Sequence, residues 1–127
     1  MTPVQVTEEN FEATVEKGIV LLDFWAAWCG PCRAFAPVFE EAAKKHPDVV
    51  FGKVDTEAQP GLAAAFEISG IPTLMVFRDN VLLAAQPGAL PAAALEKFIA
   101  AVRAVDMDAV RKKIAEAARP EAARVSP

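Results

Sequence analysis

The sequence of 127 residues contains only two cysteines and one histidine, which limits the kinds of site it can form. Both cysteines lie in one short motif, so none is left for a separate structural disulfide. Thiols that are kept free for chemistry are typical of a reducing compartment. A structural zinc site needs about four ligands, and the only histidine, His46, lies far along the chain from the cysteines. We therefore expect redox chemistry and no metal site.

Charge and hydropathy exclude two further kinds of partner. The formal net charge is −4, and no basic stripe is present to neutralise nucleic-acid phosphates. The longest apolar stretch, residues 19–28, is too short to cross a membrane and contains Asp23. The first nine residues have neither the basic start nor the apolar segment of a secretory signal. We therefore expect a soluble, cytoplasmic protein that binds neither nucleic acid nor membranes.

The cysteines, Cys29 and Cys32, stand between an apolar run and a segment with helical spacing. Residues 19–25 read as a strand buried on both faces, and residues 29–45 read as a helix. The pair therefore opens a helix, where unpaired N–H groups and the helix dipole stabilise a thiolate. Cysteines three residues apart are close enough for a disulfide, and Pro31 is tolerated in the first helical turn.

This placement predicts the roles of the two thiols. Cys29 should be an exposed nucleophile, and Cys32 should be the resolving thiol one turn further in. Asp23 is the only acid in the preceding apolar strand, and burial should raise its pKa. It could then accept the proton of Cys32 through a water molecule. For the cysteines, the alternatives are half of a zinc site or two inert core residues. For Asp23, the alternative is a carboxylate that forms hydrogen bonds with backbone groups and has no role in catalysis.

Three segments together resemble the thioredoxin family: Asp23–Cys32, Gly70–Thr73 and Gly88. The resemblance extends from about residue 4 to about residue 103. It implies an α/β protein with the thioredoxin fold, a mixed sheet of about five strands flanked by about four helices. It also implies a protein disulfide reductase that maintains redox homeostasis by thiol–disulfide exchange. No cofactor would be bound, because the cysteines themselves carry the electrons. The resemblance implies that an NADPH-dependent flavin reductase, thioredoxin reductase, resupplies them.

The resemblance also assigns roles to residues around the cysteines. Gly30 and Pro31 are the dipeptide of the reducing members, and Lys53 would help to tune Asp23, although it reads equally well as an exposed strand residue. An Ile–Pro bond is trans by default, since only about 5–6% are cis, but the resemblance implies a cis bond facing the cysteine pair. Its backbone would bind an extended substrate segment. The expected substrate-binding rim comprises Trp28, Gly70, Ile71, Pro72 and Gly88, with core packing as the alternative for Trp28.

Three residues near the motif depart from the family pattern. Ala27 replaces an acid that is common in relatives, and Arg33 stands where lysine is usual. Both changes alter the charge near Cys29. Pro87 precedes Gly88 and removes a backbone donor beside the expected docking loop. We expect the first two departures to have a modest effect and Pro87 to affect the choice of partner.

The remaining elements follow from periodicity and capping residues. Thr7 should cap a first helix with Glu8 and Glu9 in its first turn, and Asp79-Asn80 should form a tight hairpin turn. Right-handed crossovers then give a parallel first half, an antiparallel hairpin and helices on both faces. The predicted strands are residues 4–6, 19–25, 49–54, 73–77 and 81–85, and the later helices are residues 29–45, 61–66 and 91–104.

The C-terminal segment lies outside the resemblance. We divide the chain into a thioredoxin domain, residues 1–104, and an extension, residues 105–127. Residues 107–119 should form an extra helix with a thin apolar stripe, and the last residues should be disordered. This helix is either an exposed addition without a role or a docking or dimerising helix. We expect a monomer.

Two other functions fit the same sequence. One is an oxidant or isomerase with the same fold in an extracytoplasmic compartment, which the missing signal disfavours. The other is a binding module whose cysteines switch its affinity for a partner without turning over.

Overall fold

The apolar run after Gly18 forms the central strand of a five-stranded sheet in the computed structural model, which describes residues 3–118. The elements follow the predicted order, with bounds that differ by a few residues from the sequence-based ones. They are β1 (Val4–Gln5), α1 (Phe11–Val15), β2 (Ile19–Trp25), α2 (Gly30–Lys45), β3 (Val50–Asp55), α3 (Pro60–Ala65), β4 (Thr73–Arg78), β5 (Val81–Pro87), α4 (Ala92–Arg103) and α5 (Met107–Ala118).

The sheet is mixed, with the strand order β1-β3-β2-β4-β5. β1 and β2 both pair with β3 in parallel, whereas β4 pairs antiparallel with β2 and with β5. The five interior residues of β2 are all buried, as expected of a strand with neighbours on both sides and helices on both faces. The architecture confirms the fold that the resemblance implies. The extra C-terminal helix, which residue spacing alone predicts, is also present as α5.

Two apolar clusters cover the two faces of the sheet. On one face, Leu21 of β2 packs with Phe35 and Phe39 of α2 and with Leu95 and Ile99 of α4. On the other face, alternate residues of the same strand pack against α1 and α3; this cluster includes Val15, Val20, Leu22, Phe24 and Leu62. Because side chains alternate along a strand, Asp23 lies on the face covered by α2.

The first helix starts later than the sequence predicts. Thr7 does not cap it; its backbone N–H donates to Asn10 Oδ1 (2.7 Å), and Asn10 N–H donates to Thr7 Oγ1 (3.2 Å). This reciprocal pair closes a turn of its own, so the helix begins only at Phe11. Glu8 and Glu9 therefore precede the helix, and the prediction that they lie in its first turn is wrong.

The hairpin turn forms at Asp79-Asn80, as predicted. Both residues have positive φ, 50° and 70°, as a two-residue turn of this kind requires. Asp79 also fixes the turn to the loop before β2, since its N–H donates to the Gly18 carbonyl (2.9 Å) and its Oδ1 accepts from Gly18 N–H (3.0 Å). The side chain thus adds a tertiary contact that a glycine in the turn would lack.

The only histidine joins the ends of α2 and α4. Arg103 Nη2 lies 3.0 Å from His46 Nδ1, and His46 Nε2 lies 2.8 Å from Glu96 Oε1. Arg103 must donate to Nδ1, so Nε2 carries the proton and donates to Glu96. Arg103 also pairs with Asp48, and its hydrogen bonds lower the pKa of that carboxyl to about 2. His46 is therefore engaged in packing two helices together.

The C-terminal helix is attached at its first turn. Arg78, at the end of β4, donates from Nη1 to the carbonyls of Val102, Arg103 and Val105 at 3.0, 3.3 and 3.0 Å. Met107 is 6% exposed, whereas Ile114 is 47% exposed. The predicted apolar stripe is therefore covered only at its beginning. The predicted disorder at the end of the chain concerns residues outside the described range.

We predict that Met107→Ala lowers the free energy of unfolding by about 2 kcal/mol, because it removes a buried side chain. Ile114→Ala on the same helix should change it by less than about 0.5 kcal/mol. Urea unfolding of the full chain measures both values. Equal effects of the two substitutions would contradict the attachment of α5 through its first turn.

Candidate active site

The loop between β2 and α2 places Cys29 at the N-cap of α2. Its N–H donates to the Ala26 carbonyl (3.1 Å), and its Sγ accepts from the backbone N–H of Cys32 (3.2 Å). Pro31 lies in the first turn, where no intrahelical donor is needed, and that turn contains no acidic residue. The positive end of a 16-residue helix is therefore directed at the Cys29 sulfur, a position at which negative charge is stabilised.

Cys29 and Cys32 are joined by a disulfide, with their Cα atoms 5.2 Å apart. This separation falls within the range that disulfides require, so the three-residue spacing does bring the two sulfurs together. The structure thus represents the oxidised form of the pair.

The expected difference in exposure between the two cysteines is small in this form. Cys29 is 4% exposed and Cys32 is 2% exposed, so the prediction of an exposed Cys29 is wrong for the oxidised chain. The reason is that the Cys29 side chain turns back over the first helical turn and packs with Ala26 and Ile71. Gly30 and Pro31, between the cysteines, are exposed, so the disulfide lies just beneath the surface.

Asp23 is completely buried, and neither of its carboxylate oxygens has a hydrogen-bond partner among the described residues. The backbone does not satisfy it, contrary to the alternative interpretation from sequence. Loss of hydration raises its pKa from 3.8 to about 6, although the charge of Lys53 acts in the opposite direction. A carboxyl with this pKa changes protonation close to neutrality, which is a requirement for a general base that acts at neutral pH.

Lys53 lies opposite Asp23 in the pairing of β2 with β3. Its Nζ is 4.6 Å from the centre of the Trp25 ring, a distance at which a cation is attracted to the indole face. In the described part of the chain, Lys53 Nζ does not approach the carboxylate oxygens of Asp23 closely enough to form an ion pair. Lys53 is half-buried and acts on Asp23 through its field, without direct contact.

The Ile71–Pro72 peptide bond is cis, as the resemblance implies and contrary to the default for such bonds. The Ile71 carbonyl oxygen lies 3.6 Å from Cys29 Sγ, so this segment faces the cysteine pair. Gly88 N–H donates to the Pro72 carbonyl (2.8 Å), and Gly88 adopts a φ of +94°. Thr73 Oγ1 donates to the Gly70 carbonyl (2.6 Å). The expected rim residues from the two loops are therefore brought together.

Trp28 projects from this surface and is 67% exposed, which excludes core packing as its role. Beside it is an open depression of about 180 Å³, lined by Trp28, Thr56, Ala63, Ile68, Ser69 and Ile71. Sequence reasoning missed Thr56, Ala63, Ile68 and Ser69, and no motif marks them. They reach the site only because α3 and its flanking loops fold against β2 and β3.

A larger depression of about 520 Å³ lies elsewhere, between α1 and the hairpin turn. Glu12, Ala13, Glu16 and Asn80 line it. None of these four residues is a thiol or hydroxyl nucleophile. Within residues 3–118, no three His, Cys, Asp or Glu side chains are grouped to hold a metal ion. No helix in that range is long and apolar enough to cross a membrane.

Comparison with known proteins gives a consistent result. Residues 2–101 match the family model described as "Thioredoxin". "Putative thioredoxin 2" from Streptomyces coelicolor is 61% identical over 114 residues, which cover 89% of this chain and 85% of that protein. "Thioredoxin C-3" from Corynebacterium nephridii is 42% identical over 101 residues, covering 78% and 70%.

A solved structure adds the corresponding comparison of folds. It is described as "Structural basis of the thiol resolving mechanism in yeast mitochondrial 1-Cys peroxiredoxin via glutathione/thioredoxin systems". One of its chains superposes with a TM-score of 0.71 at 30% identity, covering 76% of this chain and 92% of that chain.

We predict that Asp23→Asn stabilises the fold at neutral pH but not at pH 4. Between pH 3.8 and about pH 6, Asp23 keeps its proton in the folded wild type but loses it in the unfolded chain. The free energy of unfolding of the wild type therefore falls as the pH rises through this range. The fall should amount to about 2–3 kcal/mol, and the variant should lack it.

Urea unfolding of the oxidised proteins at pH 4 and pH 7.5 measures the difference. Asp108→Asn, on the exposed surface of α5, is the matched control and should follow the wild type. Parallel pH profiles for wild type and Asp23→Asn would contradict the raised pKa.

Proposed function

The chain belongs to the thioredoxin family and is a protein-disulfide reductase that works by thiol–disulfide exchange, and we propose that Cys29 attacks while Cys32 resolves. The observation that carries this assignment is the hydrogen bond from Cys32 N–H to Cys29 Sγ at the start of α2. This hydrogen bond favours negative charge on the Cys29 sulfur because that sulfur is the acceptor, whereas Cys32 contributes only its backbone N–H.

The reaction then proceeds in two balanced steps. The Cys29 thiolate attacks one sulfur of a substrate disulfide, forms a mixed disulfide and releases the other substrate sulfur as a thiolate. Cys32 loses its proton and attacks Cys29 Sγ, which forms the Cys29–Cys32 disulfide and releases the second substrate thiolate. Two electrons pass from the enzyme to the substrate in these steps, and the released substrate thiolates then take up protons from the solvent.

Asp23 is proposed as the acceptor of the Cys32 proton. It lies beneath α2, it is buried without a hydrogen-bond partner among the described residues, and its pKa is raised to about 6. The ionised carboxylate is therefore a stronger base than an ordinary surface aspartate. Lys53 tunes this basicity through its charge, held over Trp25. A water molecule would carry the proton between the two side chains.

The substrate is proposed to bind as an extended segment across the rim. Ile71 offers backbone groups next to Cys29, as in the addition of a strand to a sheet. Trp28, Gly70, Pro72 and Gly88 complete the rim, with the depression beside Trp28 available to a neighbouring substrate side chain. Gly30 and Pro31 leave the approach to the sulfurs open because neither carries a long side chain.

Electrons are proposed to come from an NADPH-dependent flavin reductase, thioredoxin reductase, since the cysteine pair must be reduced again after each turnover. Protein disulfides in the cytoplasm would be the substrates, because the chain keeps both cysteines in this one motif. The peroxiredoxin in the study of the solved relative suggests one class to test.

The extension, residues 105–127, is proposed to be separate from the catalytic domain, residues 1–104. Its helix is held through Met107 and the Arg78 hydrogen bonds, and most of its remaining described surface is exposed. We propose that the protein acts as a monomer, since the cysteines, Asp23 and the rim all come from one chain.

Single-cysteine variants separate the two thiol roles. Cys29→Ser should lower dithiothreitol-driven insulin reduction by at least about a thousandfold, whereas Cys32→Ser should accumulate a mixed disulfide through Cys29. Non-reducing electrophoresis and mass spectrometry detect the adduct. An adduct trapped by Cys29→Ser through Cys32 would reverse the assignment, and full biological activity of Cys29→Ser would favour a binding module.

Asp23→Ala should keep the fold and slow the release of substrate from the mixed disulfide at pH 7 by about ten- to a hundredfold. The wild-type rate should rise with pH through about 6, the pKa of Asp23, and the variant should lose this rise. Single-turnover kinetics with insulin measure the step. An unchanged rate would remove Asp23 from the mechanism.

A further inference from the structure

Arg33 is folded back onto the loop that carries the attacking cysteine. Its Nη1 donates to the Ala27 carbonyl (2.9 Å), and its backbone N–H donates to the Cys29 carbonyl (3.1 Å). A methyl group added at Gly30 would lie 3.8 Å from Arg33 Nη2. The guanidinium therefore lies along the exposed segment between Ala27 and Gly30, next to Cys29.

The charge of Arg33 has no acidic partner in this position. Arg33 is exposed, and none of the ion pairs within residues 3–118 includes it. Ala27, which it contacts, is uncharged. The chain has a formal net charge of −4. Arg33 therefore places a positive charge beside the substrate-binding rim of a protein that is negatively charged overall.

The geometry of the guanidinium leaves one edge available. Nη1 is used by Ala27, whereas Nε and Nη2 make no hydrogen bond to the residues that the structure describes. These two groups form the planar edge that binds a carboxylate with two parallel hydrogen bonds. Because the tether to Ala27 already orders the side chain, binding costs less conformational entropy than it would for a free arginine.

We propose that Arg33 is a specificity residue that favours protein disulfides whose cysteine is flanked by Asp or Glu. The substrate carboxylate would bind the Nε–Nη2 edge while the substrate sulfur lies against Cys29. This inference rests on the proposed role of Cys29 as the attacking thiol. A lysine at this position would supply charge but could not hold Ala27 and a carboxylate through one rigid group.

Two disulfide-linked peptides that differ only in the residues flanking the cysteine, Asp or Lys, test the proposal. At low salt, wild type should reduce the Asp peptide with a kcat/KM about three- to fivefold above that of the Lys peptide, as for one exposed ion pair. Arg33→Gln should lower this ratio by about three- to fivefold, and Arg33→Glu should lower it further. Arg33→Lys should retain part of the preference.

The ratio is informative because a change in the reactivity of Cys29 affects both peptides equally and cancels. Arg111→Gln, an exposed arginine of α5, is the matched control and should keep the wild-type ratio. The preference should also decrease between about 0.01 and 0.15 M salt, as the Debye length falls.

The outcomes separate this inference from the proposed function. The same ratio in wild type and Arg33→Gln would overturn the role of Arg33 while leaving the roles of the cysteines intact. Failure of wild type to reduce either peptide or insulin would overturn the proposed function and, with it, this inference.

Discussion

The site depends on one hydrogen bond, from the backbone N–H of Cys32 to the sulfur of Cys29. It makes a cysteine the N-cap of a long helix, a position usually filled by Ser, Thr, Asp or Asn. A sulfur in this position experiences the unpaired donors and the dipole of α2 together. The same interaction turns the side chain inward, so the contact of the Cys29 sulfur with the helix N-terminus and the burial of the disulfide have a common cause.

Burial of the Asp23 carboxyl beneath this helix lowers the stability of the fold. Asp23 occupies the middle of β2 with no hydrogen-bond partner among the described residues, where an apolar side chain would be more stable. The positive charge of Lys53 partly offsets the effect of burial on Asp23. It does so without direct contact, since its ammonium group lies over Trp25. Buried carboxyl groups with raised pKa values are common at functional sites, although they lower the stability of the fold.

Sequence reasoning was most successful where local patterns and the motif agreed. The strand before the cysteines, the helix after them and the hairpin at Asp79-Asn80 all follow from periodicity and turn chemistry. It failed where tertiary contacts decide. The reciprocal Thr7–Asn10 hydrogen bonds delay the first helix, and the packing of Ile71 covers Cys29. Ala63 of α3 and residues of the loops beside that helix line a depression that no motif marks. The cis bond before Pro72 was expected only from the family resemblance.

The Arg78 cap on the end of α4 has a geometric consequence for the extension. β4 begins at Thr73, directly after the proline of the rim, and ends at Arg78, which holds the junction with α5. A strand of six residues spans about 17 Å. A substrate at the rim and a partner of the C-terminal helix would therefore bind at opposite ends of β4. The distance between the two ends would allow both to bind at the same time.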